Sequence, residues 1–196
     1  MRIEINSQDL QERTQLIKKM LRPLVLKNNL LFVQPVSKGD EYVASVRDTY
    51  QSTTNQYTES RFKTFVPDLQ ATYYERWYKT YQGKKEKFYL DRAYLHFYII
   101  DKTLPEPAEK EFCLLHCDPN EPDDAAHAKY KQSLHLHIEC SDASWPHCDV
   151  WPRAHIALNN GYLDYVLKDI NSLTNAMTEA ILMLKEEVLA AVKIFD

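Results

Sequence analysis

The stretch Ser133-Leu134-His135-Leu136-His137-Ile138-Glu139-Cys140 alternates without a break between polar and apolar side chains. A period of two marks a half-buried β-strand, because successive side chains leave a strand on opposite faces. Ser133, His135, His137 and Glu139 therefore share one face, and Leu134, Leu136, Ile138 and Cys140 share the other. The same division runs through Phe88–Ile100, where Arg92, Tyr94, His96 and Tyr98 oppose Ala93, Leu95, Phe97 and Ile99. Glu111–Cys117 reads as a more apolar strand, with His116 opposite Cys113, Leu115 and Cys117. As neighbours in one antiparallel sheet, the three strands gather Arg92, Tyr94, His96, His116, His135, His137 and Glu139 on a single surface and give the other surface to a core.

The flanking sequence supplies the rest of the fold. Leu10, Ile17, Leu21 and Leu24 predict an N-terminal helix over Ser7–Leu24, with Ser7 as N-cap. Leu30–Val36 and Glu41–Arg47 predict a hairpin across Ser37–Asp40. Pro67–Gln82 reads as a second helix, because Leu69, Tyr73, Trp77 and Tyr81 recur every four residues between Pro67 and a terminating Gly83. Asp101–Lys110 and the acidic Asp118–Ala128 read as exposed loops. Ile170, Leu173, Met177, Ile181, Leu184, Val188, Ala191 and Phe195 form a helical seam that, unbroken, belongs to a helix of up to about 35 residues. The predicted architecture is a single α+β domain over residues 1–196. It is an antiparallel sheet of about five or six strands, with an N-terminal helix and a long C-terminal helix packed on its apolar face.

Composition narrows the function classes. The 196 residues carry 24 basic and 28 acidic side chains, a formal charge of −4, so the whole-molecule field repels nucleic acid and any such contact needs a local patch. Arg61–Lys87 offers one, with seven basic residues against three acidic ones and Phe62, Phe65, Tyr73, Tyr74, Trp77, Tyr78 and Tyr81 interleaved. That composition suits stacked bases and phosphates, and it equally suits an amphipathic helix with a solvated face. Apolar runs such as Leu30–Val33 and Ala180–Leu184 fall far short of the roughly 18 residues of a membrane span. Met1–Leu10 carries Glu4 and Asp9 and has no apolar leader region, and four cysteines in this length suit reduced thiols, so the expected location is cytoplasmic. Walker loops, Gly-rich dinucleotide turns, nucleophile elbows and zincin helices are all missing from the sequence.

The chemistry-bearing residues are concentrated, since all seven His and all four Cys lie between His96 and His155. Imidazoles ionise near neutrality and supply both the base and the acid of a proton-transfer reaction. His135, His137, Arg92 and His155 are the candidate catalytic set, with Arg92 or Arg153 placed to stabilise anionic charge. Tyr94, His96, His116, Glu139, Arg153 and Trp151 are the candidate ligand-binding residues, Trp151 and Arg153 belonging to a rim with two Trp-Pro pairs. No cofactor is required. A His-x-His pair on one strand face also suits zinc at His135 and His137, with Glu139, His147 or His155 as a third ligand. Cys113, Cys117 and Cys140 fall on core-facing rows, and no Cys-x-x-Cys pair occurs, which disfavours a cysteine zinc site and a nucleophilic thiol.

Two functions fit these residues. The first is a binding or assembly subunit of an intracellular complex, with the His-rich sheet face as its ligand site and the C-terminal helix contacting a protein partner or a second copy. The second is a small phosphoester hydrolase directed at RNA or a nucleotide, using the paired histidines with or without metal.

Overall fold

The structure, a computed structural model, describes residues 3–48, 60–102, 108–119, 134–138, 154–157, 167 and 169–190. In chain order the elements begin with β1 (Glu4–Ile5), α1 (Ser7–Leu21) and a 3₁₀ turn (Arg22–Leu24). The strands β2 (Phe32–Lys38), β3 (Glu41–Arg47), β4 (Phe62–Lys63), β5 (Leu69–Gln82), β6 (Lys85–Asp101), β7 (Ala108–Cys117), β8 (Leu134–Ile138) and β9 (Ala154–Ala157) follow, and then α2 (Ile170–Met183). Among the described residues the strands form one sheet in the order β2-β3-β5-β6-β7-β8-β9, all pairs antiparallel, with β1 pairing to β6 and β4 to β5. The predicted α+β class holds, with nine strands in place of five or six.

The largest departure from expectation is Pro67–Gln82. It is not a helix but the 14-residue strand β5, paired along its whole length with the 17-residue β6. A repeat of four is also a multiple of two, so Leu69, Tyr73 and Trp77 lie on one face of a strand as readily as on one face of a helix. The intervening odd positions decide between them. Ala71 and Glu75 are as deeply buried as their neighbours, which completes an alternation that the charge of Glu75 had disguised. Gly83 ends no helix; it opens the two-residue turn between Gln82 and Lys85 at φ +64°, the left-handed region that glycine enters without steric cost.

Both helices lie over the apolar face. Asn6, and not Ser7, caps α1: its side chain accepts from the Asp9 N–H while the Asp9 carboxylate accepts from the Asn6 N–H. Helix α2 begins with the same reciprocal device between Asp169 and Ser172. It is shorter than its seam suggested, because the α-helical part stops at Met183 and a widened π-helical turn carries Leu184–Leu189. Leu173, Met177, Ile181 and Leu184 are fully buried in the core formed with Leu10, Ile17 and Leu21 of α1, so the described length of the seam is spent inside the fold. Ala191 and Phe195, which would have extended it, lie outside the described residues.

One polar group sits in the middle of that core. Glu75 of β5 is 0% exposed and accepts from Arg13 of α1, at 3.0 Å from Nε to each oxygen and 2.7 Å from Nη2 to Oε1. The Tyr73 hydroxyl and the Trp77 indole N–H also donate to it, at 2.5 and 3.1 Å. The guanidinium reaches on to Thr174 Oγ1 of α2 at 2.6 Å, so one buried ion pair joins the sheet to both helices. Burial and the adjacent carboxylate hold the Tyr73 phenol well above its ordinary ionisation range.

Removing one partner strands a buried charge, so Glu75→Ala or Arg13→Ala is expected to cost about 3–5 kcal/mol in urea unfolding. The double replacement Arg13→Met with Glu75→Leu removes both charges and is expected to cost much less than the two single losses combined. Additive costs in that cycle would show that the pair acts only through its separate packing contacts.

Candidate functional site

The face opposite the helices carries the imidazoles. Register places His116 of β7 directly between Tyr94 of β6 and His135 of β8, and places Leu114 between His96 and His137. On one face of an antiparallel sheet, facing residues lie about 5 Å apart and diagonal ones about 7–8 Å, within reach of aromatic side chains. His96 and His137 therefore meet His116 on the diagonals, over Leu114. The ring centroid of His116 lies 4.9 Å from His96, 4.2 Å from His137 and 5.6 Å from His135, while His135 and His137 are 4.7 Å apart. Tyr94 stacks on His116 at 3.7 Å with its ring nearly parallel.

This surface is not an open wet face. His135 is 0%, His137 5% and His116 6% exposed, while the His96 side chain, at 16%, is the most accessible of the four. His96 Nε2 stands 2.8 Å from His116 Nε2, so one of these nitrogens carries the proton and the other offers the lone pair. On its outer side, His96 Nδ1 lies 3.2 Å from the Tyr98 hydroxyl and 3.7 Å from Glu111 Oε1. These contacts turn its Nε2 toward the cluster.

Asp118 is the main residue that sequence reasoning misplaced. It was assigned to an exposed acidic loop, yet it is 4% exposed, with Oδ2 3.9 Å from His135 Nε2. It also bonds the Tyr94 hydroxyl, and together with burial it drives the Tyr94 phenol far above its usual range. An acidic residue at a strand end, one position past the last alternating pair, gave a sequence signal only through its adjacency to Cys117. Arg92 stands over the Tyr94 ring at 5.4 Å and donates to Asp91, at 2.6 Å; burial disfavours its charge, but Asp91, Tyr94 and Asp118 together raise its pKa.

Of the candidate residues, the structure thus brings together Tyr94, His96, His116, His135 and His137, with Arg92 at the margin. The backbone of His155 lies in β9 opposite His137, and that of Ala157 opposite His135. Glu139, Trp151 and Arg153 lie outside the described residues, as do Cys140 and His147. His116, His135 and His137 form a group that could hold a metal ion, their ligand atoms all lying within 4.8 Å of one another. A tetrahedral zinc bound at about 2.0–2.1 Å has its nitrogens about 3.4 Å apart, inside the 4.8 Å within which these ligand atoms lie. No family model, no curated protein and no solved structure matches this chain.

Cys113 and Cys117 lie on the core side, buried and unbridged. Burial pushes the Cys113 thiol up to about 12, and burial beside Asp118 and Glu75 raises Cys117 as well. Folding therefore favours the neutral thiols. The stability they contribute is fully present below the ordinary thiol value of 9.0 and is lost as pH climbs from there toward about 12. In the folded protein at mildly alkaline pH, iodoacetamide is expected to leave both cysteines unmodified and to label both once denaturant is added. Peptide mapping that found either one labelled in the native state would place it outside the core.

Proposed function

We propose that this chain is a phosphoester hydrolase whose centre is the buried histidine cluster working with one transition-metal ion. The observation that supports this best is the convergence of imidazoles from three neighbouring strands, β6, β7 and β8, into one buried site. Scattered on a wet sheet face, the same residues would carry no such meaning. His116, His135 and His137 would hold the metal, extending the zinc alternative at His135 and His137 by the one imidazole that lies between β6 and β8. A transition-metal ion at these three imidazoles would supply Lewis-acid polarisation of a phosphoryl oxygen and activation of water near neutral pH.

The remaining side chains do the protein's share. His96, more exposed and oriented by Tyr98 and Glu111, exchanges its Nε2 contact with His116 for the leaving oxygen and passes it a proton as the P–O bond breaks and the attacking oxygen bonds to phosphorus. Arg92 stabilises the charge that gathers on the non-bridging oxygens. Asp118 orients His135 and holds the Tyr94 hydroxyl. His135 and His137, expected from sequence to share acid and base roles, suit ligand roles better because they are the more deeply buried. The alternative, an assembly subunit docking through its C-terminal helix, would need an apolar stripe left over, and the described stripe is used internally.

Purified protein is expected to carry about one metal ion per chain by elemental analysis and to hydrolyse bis(p-nitrophenyl) phosphate in a chelator-sensitive way. His116→Ala or His137→Ala should lose both metal and turnover. His96→Ala should keep the metal and lower kcat about 10²-fold or more. Protein free of metal, with a rate indifferent to EDTA, would sink the proposal.

A further inference from the structure

The β5–β6 hairpin extends well past the histidine cluster, and its two faces differ. Paired residues share a face in an antiparallel sheet, so Tyr78 with Tyr89, Thr80 with Lys87 and Gln82 with Lys85 continue the face of Tyr74, Tyr94 and His96. The bulge between Arg76 and Trp77 inserts Asp91 as the extra residue and keeps Arg76 opposite Arg92 on that same face. Lys79 and Glu86 leave the opposite face, where they neutralise each other at 2.5 Å and Ser7 donates to Glu86.

On the histidine side, Lys85, Lys87, Arg76 and Arg92 stand against Glu41 and Asp91, with Glu111 and Asp118 at the cluster end, so positive charge is concentrated toward the Lys85 end of the strip. Asp91 is shared by both guanidiniums, at 2.6 Å from Arg76 Nη2 and 2.6 Å from Arg92 Nε, which ties them to one carboxylate. The planar groups run on without interruption. Tyr89 and Tyr78 are 5.6 Å apart, Arg76 lies 5.6 Å from the Tyr78 ring, Arg92 lies 5.4 Å from the Tyr94 ring, and Tyr94 stacks on His116. From Lys85 to His96 this strip spans roughly 36 Å at about 3.3 Å per residue.

We propose that single-stranded nucleic acid is the substrate class, lying along the Lys85–His96 face of the hairpin with its scissile phosphate delivered to the histidine cluster. Cations alternating with aromatic planes are what a strand of phosphates and unstacked bases requires, and a paired duplex offers no free base faces to those rings. This assignment rests on the hydrolase function above for the fate of the phosphate, while binding along the strip can be measured separately.

The experiment uses fluorescence anisotropy of a labelled single-stranded oligonucleotide, in EDTA so that turnover does not consume the probe, with wild type and the double variant Lys85→Ala/Lys87→Ala. The variant is expected to bind about tenfold more weakly near physiological salt. Its log Kd against log salt slope should fall by about 1.4, the value of two lost single-strand phosphate contacts. It should hydrolyse bis(p-nitrophenyl) phosphate at the wild-type rate, and a duplex of the same sequence should bind more weakly than the single strand. Equal affinity of wild type and variant, no binding by wild type, or preference for the duplex overturns the proposal. Hairpin-dependent binding without hydrolysis of the small diester would leave this interface standing and remove the hydrolase; diester hydrolysis without oligonucleotide binding would do the reverse.

Discussion

A pleated strand sends neighbouring side chains to opposite faces, and the register of β5 through β8 turns that constraint into two separate interiors. One face takes Trp77, Leu95, Leu115 and Leu136 into a core shared with α1 and α2. The other takes Tyr94, His96, His116, His135 and His137 into a second, polar interior. A slip of one residue in β7 would carry His116 into the apolar core and Leu115 into the imidazole cluster. Each strand is thus held in register by what both of its faces require.

Glu75 sharpens that requirement. A carboxylate on the core row is tolerable only where Arg13, Tyr73 and Trp77 reach it, and those groups come from α1 and from its own strand. The same guanidinium contacts Thr174, so the placement of α2 depends on it as well. The apolar side of the sheet is therefore oriented by a polar contact, and the polar side is shielded enough to bury three imidazoles. The histidine cluster inherits its geometry from packing on the face that it does not occupy.

Much of the candidate site could be read before folding. Alternation in the Ser133 and Arg92 stretches assigned Tyr94, His96, His135 and His137 to one surface, because strand parity is a local property of the chain. His116 followed from the same parity in a less regular strand. Asp118 and Glu111 did not follow, since their roles come from contacts with His135 and His96 on neighbouring strands. The β5 error has a related cause: Leu69, Tyr73 and Trp77 satisfy two periods at once, and only pairing with β3 and β6 selects the strand.

The sequence by itself determined the α+β class, the hairpin of β2 and β3, the core-facing row of each alternating strand and the concentration of histidines in one part of the chain. Those properties depend on spacing along the backbone, which is present in the unfolded polymer. Tertiary structure alone decided that β5 is a strand, that Glu75 is buried against Arg13, that the seam of α2 is used internally as far as Leu189, and that four imidazoles converge instead of lining an open face. Each of these depends on which residues from distant segments come to share a low-dielectric space, and no local period encodes that choice.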